Sequence, residues 1–263
     1  MWKLAGYRDE NRNETGTIQR RCTSTVAACL CSALLIWALS QPAGKADQGL
    51  ALLELLGLAS EEPLRACLMC LLLTASLFSG PIVQHFVDVA DGNVPFLTLP
   101  SSYWILLRDI GVAPLTEEFV FRACLIRLWS AASFSTGVIV FCSPLCFSLA
   151  HTHHFVEHVR RFEDKQVAFL QVAFQVFYTS LFGMYASFLL VRVGSTPALF
   201  LTHAFCNLQG FPDIAFLVSR SHPLHVHRVW LGSLYVLGIV AFSCLLMPMT
   251  NGFASHFDAR ITA

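Results

Sequence analysis

The chain has 263 residues, of which 55% are hydrophobic and only 13% charged, against about 25% charged in soluble domains. Its mean hydropathy is +0.60. A soluble enzyme, a disordered chain and a collagen-like chain are therefore excluded. Lys plus Arg equals Asp plus Glu at 17 each, which leaves no basic face for nucleic acid. The composition is that of a polytopic membrane protein.

A helix that crosses the hydrocarbon core needs about 20 mostly apolar residues. The arm 1–21 is polar and holds Lys3, Arg8, Arg12, Arg20 and Arg21. The first apolar stretch runs from Cys22 to Leu39, too far from the start for a removable signal peptide. A polar link, Gln41 to Pro63, contains a short amphipathic piece from Leu50 to Leu58. A second span is expected from Leu64 to Val83, followed by a loop rich in Gly, Pro and Asp from Asp88 to Pro100. Tyr103 to Val112 is apolar but interrupted by Arg108 and Asp109. Pro114 to Ser130 reads as a helix that carries Glu117, Glu118, Arg122 and Arg127. Phe134 to Ala150 is a cleaner span. His151 to Lys165 is a His-rich polar link. Val167 to Val193, Thr196 to Leu208 and Val229 to Met247 complete the pattern. The expected fold is all-α, a polytopic bundle of seven or eight helical segments around a membrane-embedded cavity. Its expected organisation is a polar arm 1–21, one transmembrane catalytic bundle 22–250 and a short tail 251–263. The basic arm favours a cytosolic N-terminus; glycosylation of the sequon at Asn13 would reverse that orientation.

All ten cysteines read as reduced thiols, most of them small hydrophobes in apolar runs. Cys67 and Cys70 are spaced as C-x-x-C, but no second pair follows at the distance of a zinc site.

Ionisable groups inside apolar helices are costly, so each is a candidate for function. In Ala113-Pro114-Leu115-Thr116-Glu117-Glu118-Phe119-Val120-Phe121-Arg122, Glu118 and Arg122 are four apart with the acid N-terminal, the favourable order for an ion pair. Glu117 is five from Arg122 and faces away from it. Desolvation lifts a buried carboxyl toward the range a general base uses, which makes Glu117 the candidate base and Glu118 with Arg122 its support. The alternative is that both acids favour the positive end of the helix dipole. His151 stands where an apolar span meets a polar link, a position suited to a group that must meet water. His203 and Asn207 are four apart on one helical face. Two donors there would serve a developing oxyanion, or else act as hydrogen-bonding glue between helices.

Three patterns in this order, Glu117-Glu118-x-x-x-Arg122, Phe147-x-x-x-His151 and His203-x-x-x-Asn207, resemble the motifs of the CAAX protease and bacteriocin-processing family. The fuller stretches, with Ala150-His151-Thr152-His153-His154 and Gly210-Phe211-Pro212, are similar to its eukaryotic type II CAAX prenyl endopeptidases. The likeness extends over roughly Leu64 to Pro248. It implies a multi-pass protein of the endoplasmic reticulum membrane, its active site opening to the cytosol. It implies removal of the last three residues from farnesylated or geranylgeranylated CAAX proteins such as Ras-like small GTPases. It implies that Glu117 activates water, that His151 assists proton transfer, and that His203 and Asn207 line an oxyanion site. No metal and no other cofactor is implied.

Competing readings stay open. His154-Phe155-Val156-Glu157-His158 spells the inverted zinc motif H-x-x-E-H, yet no Glu follows Glu163 to act as a third ligand. Cys206 shares a helical face with His203, as a thiol nucleophile would, but an apolar setting makes a thiol inert. A scaffold or transport component would also bury Glu, His and Arg, although no inverted hydropathy repeat is visible.

Overall fold

The computed structural model describes residues 13–39, 48–96, 102–150, 165–255 and 257. Among these every regular element is a helix, with no strand. The helices are α1 (Thr15–Leu39), α2 (Gln48–Leu55), α3 (Pro63–Leu77) and α4 (Ser79–Ala90), then α5, a continuous run over 103–131. They continue with α6 (Thr136–Ala150), α7 (Lys165–Val193), α8 (Thr196–Gln209) and α9 (Arg228–Met249). The chain is an all-α multi-pass membrane protein, as the composition requires. Thr15–Leu39, Lys165–Val193 and Pro223–Met249 are long and apolar enough to cross a membrane. The pair α3 and α4 makes a fourth span if taken together, bent by 68°.

The described helices number nine rather than seven or eight for three local reasons. The short piece after Gln48 forms a helix of its own. The expected second span breaks at Phe78. The segments on either side of Ala113 join into α5. The described part of α6 has 15 residues, about 22 Å at 1.5 Å per residue.

The regular pattern of α5 is widened twice. Leu107–Val112 and Phe119–Cys124 are π-helical, on either side of an α-helical Ala113–Glu118. Insertions of this kind recur at functional sites.

The chain divides into two compact units. The first comprises Met1–Cys31, Cys67–Thr116 and Phe200–Met249. In it α9 packs on α4. A Cβ on Gly80 would overlap the Tyr235 ring, so glycine is what allows the two helices this approach. The Tyr235 hydroxyl then donates to the buried Gln84 Oε1 at 2.5 Å. Phe216, Leu224 and Leu231 form the core beside them, with Val83 and Val87.

The second unit comprises Ser32–Ala66, Glu117–Leu199 and Thr250–Ala263. Its core joins Ile36, Leu56, Ala123 and Cys124. Thr196, which opens α8, donates its backbone N–H to Gly57 O at 2.8 Å and its hydroxyl to Leu56 O at 2.6 Å. Along α6 and α7 a seam of small hydroxyls satisfies itself internally, as apolar surroundings demand. Ser180 Oγ donates to Ser148 Oγ at 2.8 Å, and Ser143 and Ser187 lie 3.4 Å apart. The chain beyond α9 returns to this unit, where Ser130 Oγ donates to Phe257 O at 3.2 Å.

Candidate active site

The acid-bearing part of α5 begins after Pro114. Thr116 Oγ1 donates back to Val112 O at 2.8 Å, a turn-to-turn bond that leaves the following carboxylates to other partners. Glu118 and Arg122 then pair as their spacing predicts, Oε1 to Nη1 at 3.3 Å, with both side chains within 1% of complete burial. The Arg122 guanidinium lies over the Phe147 ring of α6 at 4.2 Å and 5.7 Å from the centroid of Phe182 on α7. This positive charge is thus held by one carboxylate and two aromatic faces, which attract cations through the ring quadrupole. Glu117, adjacent to Glu118, is only partly buried. It too has an interaction partner. Two neighbouring carboxylates therefore occupy opposite surroundings, one sealed and ion-paired, the other partly open.

In the first unit, α8 presents His203 and Asn207. His203 is buried and partnered, and Asn207 is exposed. The Asn207 side-chain amide donates to the backbone carbonyl of Asp109 at 2.8 Å. The sequence of α5 explains why that carbonyl needs a donor. Ala113 N–H reaches back five residues to Arg108 O, in π register. The next rung would run from residue 114 to Asp109, but residue 114 is proline and has no N–H. An amide nitrogen has two hydrogens to give. The bond to Asp109 uses one and fixes the direction of the other.

Arg108 is engaged locally. Its Nε and Nη2 grip the two oxygens of Asp109 at 2.6 and 3.1 Å, and Nη1 donates to Asn13 Oδ1 at 3.0 Å. Arg192 donates to Asn251 Oδ1 at 3.5 Å. Cys206, the rival nucleophile, is buried.

The sequence-derived candidates thus fall into two groups. Glu117, Glu118 and Arg122 belong to the second unit, and His203 and Asn207 to the first. His151 lies outside the described residues, as does the H-x-x-E-H stretch 154–158. Among the described residues no three His, Cys, Asp or Glu side chains cluster as metal ligands would. Two contributors escape a reading by spacing. The Asp109 carbonyl has no side chain to flag it, although Pro114 five residues later was the available signal. The role of Phe147 was hidden among 22 phenylalanines, though its place four residues before His151 marked it.

These features define a class, a polytopic helical membrane protein that seals ionisable groups into its apolar interior. A family model described as "Type II CAAX prenyl endopeptidase Rce1-like" matches residues 99–209. The chain is 38% identical to the human protein "CAAX prenyl protease 2", over 91% of this chain and 74% of that relative. It is 32% identical to "CAAX prenyl protease 2" of Arabidopsis thaliana, over 86% and 76%. Against "Probable CAAX prenyl protease 2" of Schizosaccharomyces pombe it is 29% identical, over 88% and 80%. No solved structure matches it. The chain belongs to the type II CAAX prenyl endopeptidase family and is a membrane peptidase.

Proposed function

We propose that the protein removes the last three residues of prenylated CAAX proteins, Ras-like small GTPases among them, by water attack without a covalent enzyme intermediate. Glu117 takes a proton from water as the oxygen attacks the carbonyl carbon of the prenylcysteine. His151 assists in that transfer. His203 and the second N–H of Asn207 receive the oxyanion. Collapse breaks the C–N bond, and the proton passes to the leaving amine. The products are a prenylcysteine carboxylate and a free tripeptide.

The observation that carries this reading is the contrast between adjacent acids. Glu118 is neutralised by Arg122 in full burial, while Glu117 keeps partial exposure. Neighbouring titratable groups in opposed environments mark a division of roles. The orientation of Asn207 supports the oxyanion assignment, since a donor fixed before the reaction costs no reorganisation during it.

The substrate logic follows from the membrane. A farnesyl or geranylgeranyl chain gains about 0.8 kcal/mol per buried CH₂, so lipid delivers the scissile bond to the interface. The site opens to the cytosol from the endoplasmic reticulum membrane. Purified protein incubated with a farnesylated CAAX peptide releases the tripeptide, detected by mass, and leaves the unprenylated peptide intact. Equal cleavage of both peptides, or of neither, refutes the proposal.

A further inference from the structure

The Arg122 guanidinium presents a physical problem that the ion pair does not solve. Arg122 is 1% exposed, and among the described residues neither of its Nη atoms makes a hydrogen bond. A buried cation deprived of water needs compensation beyond one carboxylate oxygen at 3.3 Å. The ring of Phe147 supplies it. Phe147 is 2% exposed, its centroid lies 4.2 Å from Arg122 Cζ, and its ring meets Phe121 in a T-shaped contact at 5.3 Å and 65°. Phe182 stands farther off, at 5.7 Å. Gly183, its neighbour in α7, clears the space: a Cβ there would come within 3.1 Å of Arg122 Nη2 and 2.7 Å of Pro144 Cβ.

This arrangement makes a chain of contacts between two helices. The Phe147 ring of α6 holds Arg122 of α5, Arg122 holds Glu118, and Glu118 adjoins Glu117. Leucine would fill the volume of Phe147 but has no quadrupole, so it would leave the cation to Glu118 and the more distant Phe182 ring alone.

We propose that Phe147 is a positioning residue for the peptidase reaction, acting through a cation–π contact with Arg122 that fixes the helix bearing Glu117. The inference rests on Glu117 being the acting carboxylate. It concerns orientation in the chemical step, so it predicts a loss in kcat and not in substrate affinity.

The test measures kcat and KM for tripeptide release from a farnesylated CAAX peptide by the full chain in lipid vesicles, with thermal unfolding alongside. Phe147→Leu is expected to lower kcat about 10- to 100-fold, the scale of a small misplacement of a reacting group, with KM within about twofold. Phe147→Tyr, which keeps a ring face of nearly the same size, is expected to retain most of kcat. A series of fluorinated phenylalanines at position 147 keeps the shape and drains the ring face, and should lower log kcat stepwise even if the leucine variant fails to fold. A pentafluorinated enzyme as fast as the parent, beside an inactive Glu117→Gln, would overturn this inference alone. Full activity in Glu117→Gln would overturn both it and the reading on which it rests. A loss explained wholly by a smaller folded fraction, or confined to KM, would reduce Phe147 to packing and overturn it as well.

Discussion

Asn207 donates its side-chain amide to the backbone carbonyl of Asp109 at 2.8 Å, closing the gap that Pro114 leaves in the hydrogen-bond ladder of α5. Both partners are local to one unit, and Asn207 is exposed. Water can therefore replace the amide toward the carbonyl, but not in its fixed direction. Asn207→Ala is expected to lower kcat about 10²- to 10³-fold, the usual cost of an oxyanion donor. Stability should fall only about 0.5–1.5 kcal/mol. Asn207→Asp brings a carboxylate against the same carbonyl and should unfold at a lower temperature than the alanine variant. Thermal unfolding in detergent micelles, with tripeptide release, checks both.

Removal of Arg122 leaves Glu118 buried without its cation. Arg122→Ala is expected to destabilise the fold by about 3–5 kcal/mol. The double variant Glu118→Gln with Arg122→Met removes both charges and should recover most of that loss. Arg122→Lys should not, because an ammonium lacks the planar face that stacks on Phe147. Unfolding midpoints of the four proteins decide this.

Gly183→Ala puts a methyl group 2.7 Å from Pro144 Cβ and 3.1 Å from Arg122 Nη2. The arginine end can yield, but the proline ring cannot. The expected cost is about 1–3 kcal/mol, as for other overpacked helix contacts, read as a lower unfolding temperature with a drop in activity.

A general base acts only when deprotonated. As pH falls, kcat/KM should decline along an acid limb that belongs to the Glu117 and His151 system as a whole rather than to either group. The sign is fixed: protonation removes the acceptor for the water proton. Rates of tripeptide release from pH 4 to 8 test it, and a flat profile down to pH 4 contradicts it.

Much of this was legible in the residues. Apolar length and the low charge fixed the class, and the four-residue spacing of Glu118 and Arg122 predicted their ion pair. The type of α5 was not legible, because two π turns arise from the ladder shifts around Pro114 and Phe119 rather than from apolar periodicity. The bend at Phe78 was hidden for a similar reason: Ser79, Gly80 and Pro81 interrupt the helix without lowering its hydrophobicity much. The partner of Asn207 is a backbone atom 98 residues away in the chain, which no side-chain pattern reports. The burial of Arg122 against Phe147 depends on where α6 and α7 pack, a tertiary fact invisible in any single helix.

The most direct measurement is tripeptide release from a farnesylated CAAX peptide by Glu117→Gln, a substitution that keeps the shape of the side chain and removes its basicity. With the variant folded and inserted like the parent, release should fall at least about 10²- to 10⁴-fold, the contribution of a positioned general base. Release at the parental rate would show that another group activates the water.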